Sequence, residues 1–369
     1  MTQRFIPILI CALALAVPIS MMMQSEVCAK RGKTDMKPHK AQWMADGSYG
    51  MMVHYIVGPN GNTLEEKTAS LNQIIEGFDL DFFMKQFEES GADWLIFTIG
   101  QNTGYYNSPN RVIDTIFPGR TPKRDLVLEI AQRVKGMGKR FIAYLPVEMW
   151  MQKPDIQGAF HWNEADQSEF LKTYLLFLKS YSIKLGRNCD AWWFDGCYPE
   201  IHEGKWGWEN WISNARTGNP DAAIAFNDGA FCVGRIAPVT PLQDYHAGEV
   251  HLLEDGKIRI DPLNQGDVYV NGDGKVRRLN QEPEFHMPKS QYIDGVQWHA
   301  LVPVNSSFVG EIIPMDKLDY TSKQLLEFVR KCKSVKGAVT FNVPLEMNGH
   351  IPAHSASKLK VLGEALARR

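Results

Sequence analysis

The chain has 369 residues, with hydrophobic residues at 44% and charged residues at 22%, which excludes a disordered or fibrous protein. Forty Lys and Arg against 42 Asp and Glu leave a net charge of −2, so the basic excess that a nucleic-acid partner requires is absent.

At the start of the chain, Arg4 precedes an apolar run over residues 5–19. The run is too short to cross a bilayer and fits the apolar region of a signal peptide. Val27-Cys28-Ala29 supplies small residues for cleavage, so residues 1–29 are expected to direct export to the periplasm or beyond. Residues 30–369 are expected to form one catalytic domain; they contain no further apolar run long enough for a membrane span. Cys189, Cys197, Cys232 and Cys332 lack CxxC or ligand-like spacing and read as buried thiols.

Short apolar β-type runs then alternate with amphipathic segments. Strands are predicted at 50–54, 94–98, 140–144, 191–194, 223–227, 247–252, 295–301 and 338–343. Phe82, Phe83 and Phe87 before Gly91 mark one helix, and Leu126, Ile130, Ala131 and Val134 mark another. Further helices are predicted at 170–185, 206–214, 321–333 and 355–367. Eight strands alternating with helices favour a parallel (β/α)8 TIM-like barrel. Residues 255–283 break the rhythm: Asn271-Gly272-Asp273-Gly274, flanked by Val268-Tyr269-Val270 and Lys275-Val276, predicts a β-hairpin insertion between strands six and seven.

In such a barrel the chemistry sits at the C-terminal ends of the strands. Those ends deliver His54 and Tyr55, Gln101 and Asn102, Tyr144 with Glu148, Trp193 with Asp195, Asn227 with Asp228, His246 with Glu249, Trp298 with His299, and Asn342. Amides, carboxylates and aromatic rings suit a neutral polyhydroxylated ligand, because polar groups bond its hydroxyls and rings cover its apolar face. No GxSxG elbow, phosphate loop or HExxH zinc motif is present.

Glycoside cleavage needs two carboxyl groups. Asp195 follows the apolar run Ala191-Trp192-Trp193-Phe194, where a carboxylate is expensive to bury without a task or a partner. The same position would also suit a helix cap or an ion pair. For the second carboxyl, Glu249 and Glu148 compete, with Glu200 and Asp228 behind them. His54, His246 and His299 form no His-x-His or His-x3-His pair, so neither a metal nor another cofactor is expected.

Several of these segments resemble the α-L-fucosidases of glycoside hydrolase family 29. Gly50-Met51-Met52-Val53-His54-Tyr55 is similar to the family's first strand, Gly-Met-Phe-Val-His-Trp. Glu89-Ser90-Gly91-Ala92-Asp93-Trp94 and Lys123-Arg124-Asp125-Leu126-Val127 resemble its approach to strand two and the helix start that follows. Trp193-Phe194-Asp195-Gly196 is similar to the Trp-Phe-Asp-Gly that carries its nucleophile. Lys336-Gly337-Ala338-Val339-Thr340-Phe341-Asn342 and Asn348-Gly349-His350-Ile351-Pro352 resemble its last strand and the turn beyond.

The resemblance implies a retaining exo-glycosidase that removes terminal fucose or a related sugar from an oligo- or polysaccharide. Asp195 would be the nucleophile. Gln243-Asp244-Tyr245-His246-Ala247-Gly248-Glu249 is similar to the family's Gly-Asp-Phe-x-x-x-Glu, which implies Glu249 as acid/base. His54, Tyr55, Gln101, Asn102, Tyr144, Trp193, Asn227, His246 and Trp298 would line the sugar site.

The chain also departs from the family. Its histidine pair after strand two is replaced by Gln101-Asn102, and its Asn-x-Arg after strand five by Asn227-Asp228-Gly229, with Arg235 downstream. No segment corresponds to the family's C-terminal β-sandwich. The alternatives are a different sugar specificity or a catalytically inactive carbohydrate-binding protein on the same scaffold.

Overall fold

The computed structural model describes residues 39–149, 152–198, 206–228, 238–249, 252–260, 268–270, 276–278, 284–305 and 318–368. The expected leader, Glu200, Cys232 and Arg235 lie outside them. Five apolar runs form consecutive parallel strands: β1 (Gly50–Val53), β2 (Trp94–Thr98), β3 (Arg140–Pro146), β4 (Ala191–Asp195) and β5 (Ala223–Phe226). An antiparallel excursion follows, made of β6 (Leu252–Glu254), β7 (Lys257–Ile260), β8 (Val268–Val270), β9 (Val276–Arg278), β10 (Glu284–His286), β11 (Tyr292–Ile293) and β12 (Val296–Gln297). The chain then returns to the parallel sheet as β13 (His299–Pro303) and β14 (Ala338–Val343). The strand order is β13-β14-β1-β2-β3-β4-β5.

Among the described residues this is a curled, open, seven-stranded parallel half-barrel, one strand short of the expected eight. The expected strand at 247–252 is not among these seven; residues 250 and 251 lie outside the described residues. Residues 244–249 do run alongside both edges: Asp244 N donates to Ile224 O of β5 at 2.8 Å, and Leu301 N of β13 donates to Gly248 O at 2.7 Å. Parallel bridges pair Tyr245 with Gln297 and Glu249 with Leu301. Gly248 has φ 71°, a left-handed kink that interrupts the extended run, so the segment makes bridges instead of a continuous ladder.

The insertion is larger than the single hairpin expected. β8 and β9 pair antiparallel as the expected hairpin requires, its turn at residues 271–275 lying outside the described residues, and β6, β7 and β10 make a second antiparallel sheet.

Side chains alternate between two layers because a strand has a period of two. Met52, Trp94, Ile96, Ile142, Tyr144, Ala191, Trp193, Ala223, Ala225, Tyr245, Ala247 and Leu301 pack inside the curl. Met51, Leu95, Phe97, Phe141, Trp192, Phe194 and Phe226 face outward against helical residues such as Phe83, Ile130, Phe177 and Phe328.

A polar chain crosses the inner layer. The Trp94 indole donates to Thr340 Oγ1 at 2.7 Å, and Thr340 Oγ1 lies 2.7 Å from His299 Nε2. His299 Nδ1 faces the carbonyls of His246 and Ala247 at 2.9 and 3.1 Å, so it carries the proton and Nε2 accepts from the threonine. Gly50 makes room for the indole: a Cβ there would lie 1.8 Å from Trp94 Nε1.

The helices start and stop where their chemistry says. Asp79 caps Leu80–Ser90, which ends on Gly91 at φ 71°, and Thr321 with Gln324 forms a capping box before Ser322–Lys333. Cys189, Cys197 and Cys332 are free and buried, as their spacing predicts.

Candidate active site

Strand alternation decides which strand-end residues meet. His54, Asp195 and Asn227 continue the inward rows of β1, β4 and β5, and Tyr144 lies in the inward row of β3. Glu249 continues the inward row of Tyr245 and Ala247, past the Gly248 kink.

Asp195 is half-buried and accepts from four sides. Oδ1 takes Gly196 N at 2.9 Å and Asn227 Nδ2 at 2.9 Å. Oδ2 takes the Tyr144 hydroxyl in a short bond and a long 3.5 Å contact from Gln101 Nε2. Among the described residues no Lys or Arg forms an ion pair with it.

The Asn227 amide also donates to Glu249 Oε2, at 2.6 Å. With 2.9 Å to one oxygen and 2.6 Å to the other, Asp195 Oδ1 and Glu249 Oε2 can be at most 5.5 Å apart.

Aromatic and polar walls hold this pair. Tyr144 stacks on Trp193 with ring centroids 5.2 Å apart and 16° between planes, and the Trp193 indole donates to Ala247 O at 3.2 Å. Burial pushes the Tyr144 phenol far above its usual range, and the neighbouring Asp195 charge and hydrogen bond push the same way, so the hydroxyl remains a donor. His54 packs edge-on to Tyr144 and bonds Asn342 Oδ1 through Nδ1 at 2.9 Å. Burial lowers the His54 pKa, against the opposing pulls of Asn342 and Asp195.

Gln101 sits in the loop after β2; among the described residues its Oε1 is buried without a hydrogen-bond partner. Asn102 follows it at φ 45°, a left-handed conformation that Asn tolerates.

Glu148 is buried against Gly196, where a Cβ would meet its Cγ at 2.3 Å. It forms a third acid beside the pair. Sequence reasoning missed Tyr198. Burial and then the charges of Asp195, Glu249 and Glu148 push its phenol well above the usual range. Its signal was positional only: it lies three residues past Asp195, on the loop leaving β4.

Three expected sugar contacts lie elsewhere. Tyr55 follows His54 and so turns outward; it is fully buried against Phe78 and Phe97 and donates to Met347 O at 2.8 Å. Trp298 precedes the inward His299 and is buried in the outer layer, stacked with His286. His246 alternates with the inward Tyr245 and Ala247; its Nε2 lies 3.4 Å from Ile293 O, and burial lowers its pKa. Among the described residues no cluster of His, Cys, Asp and Glu has the arrangement of a metal site. No described helix is long and apolar enough to cross a membrane.

Known proteins share this architecture. An endo-fucoidan hydrolase of glycoside hydrolase family 107, MfFcnA4, superposes with a TM-score of 0.59 at 18% identity over 89% of this chain. The chain spans about half of that enzyme's length, 53%. Alpha-L-fucosidase isoenzyme 1 from Paenibacillus thiaminolyticus superposes with a TM-score of 0.59 at 19% identity, over 89% of this chain and 75% of that one. A further alpha-L-fucosidase gives 0.54 at 16% identity, over 88% and 74%. No curated protein matches the sequence. The alpha-L-fucosidase family profile matches residues 20–255, more than half of the sequence, and the chain therefore belongs to the alpha-L-fucosidase family.

Proposed function

We propose that the protein is an exported retaining glycoside hydrolase that releases a terminal α-linked fucose, or a closely related sugar, from an oligo- or polysaccharide. The observation that carries the reading is the limit of 5.5 Å between Asp195 Oδ1 and Glu249 Oε2, set by bonds of 2.9 and 2.6 Å to one nitrogen. Retaining glycosidases hold their carboxyl groups about 5–5.5 Å apart, whereas inverting ones leave about 6.5–9.5 Å for a water.

In the first step an Asp195 oxygen bonds to the anomeric carbon as the glycosidic C–O bond breaks. Glu249 gives its proton to the departing oxygen. In the second step Glu249 takes a proton from water, whose oxygen attacks the same carbon and frees Asp195. Tyr144 steadies the nucleophile and Trp193, buried beneath it, holds the phenol in place, while His54, Gln101 and Asn102 are available to the sugar. Residues 244–249 take the place of the barrel's remaining strand, between β5 and β13.

Family membership and the fold shared with named fucosidases and an endo-fucoidan hydrolase support fucose as the sugar. The test is NMR of the first-formed product from an aryl α-L-fucoside. Retained configuration is expected, with activity falling by about a thousandfold or more in Asp195→Asn. A panel of aryl glycosides left intact by the wild-type protein would refute hydrolysis.

A further inference from the structure

We infer that Asn227 is a positioning residue that ties the two acids together, with one hydrogen of its side-chain amide on Asp195 and the other on Glu249. The roles of those acids rest on the proposed function; the tie itself rests on geometry.

An asparagine Nδ2 has two hydrogens. Here that nitrogen lies 2.9 Å from Asp195 Oδ1 and 2.6 Å from Glu249 Oε2, so both are engaged. The side chain is 3% exposed. Its backbone is fastened to the strand that carries Asp195 and to the turn beyond: Asn227 N donates to Phe194 O at 2.7 Å, and Cys197 N donates to Asn227 O at 2.7 Å. The nitrogen is therefore a fixed point relative to Asp195, and it sets how far away Glu249 can stand.

Two consequences follow from donor counting. Asn227 has no hydrogen left to give a sugar hydroxyl while both bonds persist; only its Oδ1 could accept from one. Glu249 Oε2 accepts from the amide, so a proton on Glu249 resides on Oε1. The carboxyl that donates to the leaving oxygen is thus fixed by rotation as well as by distance, and orientation of this kind is where positioned groups gain rate. The titratable groups around the pair are His54 from β1, Tyr144 and Glu148 from β3, Cys197 and Tyr198 from the turn after β4, and Asp228 after β5. Among these six only the two carboxylates add charge of the same sign at neutral pH, so a donor held between Asp195 and Glu249 offsets repulsion.

The experiment is NMR of the full chain labelled with ¹⁵N at asparagine side chains, comparing wild type, Asp195→Asn and Glu249→Gln, with the Asn227 signal assigned by its loss in Asn227→Ser. The expected result is two downfield, slowly exchanging Hδ2 resonances, of which one moves in the Asp195 variant and the other in the Glu249 variant. If neither replacement moves them, or if they exchange at the rate of a solvent-exposed amide, the tie does not exist. This readout needs no turnover, so it stands even if no fucoside is cleaved, an outcome that would defeat only the proposed function. Where turnover is measured, Asn227→Asp keeps the size but removes both donors. It is expected to lower kcat by about a hundredfold with KM changed less than threefold; a raised KM at unchanged kcat would make Asn227 a sugar contact and overturn the inference.

Discussion

Tyr144 and Asp195 face each other across neighbouring strands, with the phenol hydroxyl bonded to Oδ2 of the carboxylate. The ring is clamped flat on Trp193, so the donor cannot swing away. Tyr144→Phe keeps the stack and removes only the hydroxyl. A hydrogen bond to a charged acceptor contributes about 1.5–3 kcal/mol, so kcat is expected to fall about tenfold to a hundredfold with little change in KM. Steady-state kinetics on an aryl fucoside check this; an unchanged kcat would place the phenol outside the reaction.

Glu249 reaches the pair only because the backbone kinks before it. A Cβ on Gly248 would stand 2.0 Å from His299 O, and the residue has φ 71°. Gly248→Ala combines left-handed strain with a backbone clash and is expected to cost about 2–5 kcal/mol, with activity lost beyond what unfolding explains. Denaturant melts alongside kinetics on the folded fraction measure both effects.

His299 ties inner-layer packing to pH. Burial lowers its pKa to about 4, against the pull of the His246 and Ala247 carbonyls, so the folded state holds it neutral. The unfolded chain protonates near 6.5, so it binds more protons than the fold between these values. The stability from the neutral ring is therefore complete above about pH 6.5 and is lost as pH falls towards 4, by about 3 kcal/mol in all. His299→Gln should lack this component. Guanidinium unfolding at pH 7 and pH 4.5 should show the wild type losing about 2–3 kcal/mol more than the variant; equal losses would contradict the assignment.

Tyr55 offers the opposite kind of test. Its ring is packed in the outer layer and its hydroxyl bonds Met347 O at 2.8 Å. Tyr55→Phe is expected to cost about 1–2 kcal/mol of stability while leaving KM and kcat within twofold. A large rise in KM would return Tyr55 to the sugar site.

Tyr55 and Trp298 also mark where the sequence stopped being legible. Strand positions could be read because the apolar runs at β1 to β5 and β14 are short and bounded by turns. The face each residue presents depends on the exact register, and a shift of one position exchanges inside for outside. Asp195 and Asn227 fell on the inward row; Tyr55, His246 and Trp298 each sit one residue off it.

Over its described part, the strand expected at 247–252 makes bridges and no continuous ladder, for a local reason. An apolar pattern does not register that Gly248 adopts a positive φ. The helices Gln42–Asp46, Arg111–Ile116 and Pro154–Ala159 are too short to show a period, whereas Leu64–Glu76 carried an unread signal in the capping box of Thr63 and Glu66. The shared use of Asn227 by two acids was invisible, because Asn227 and Glu249 are joined only by folding.

The covalent step is the centre of the proposed mechanism, and it can be caught directly. The protein would be incubated with a 2-deoxy-2-fluoro-fucosyl fluoride, which slows release of a glycosyl-enzyme, and analysed by intact mass and peptide sequencing. The expected result is a mass increase of one fluorosugar, located on Asp195. Fluorosugar turnover without any adduct, or an adduct on another carboxylate, would contradict it.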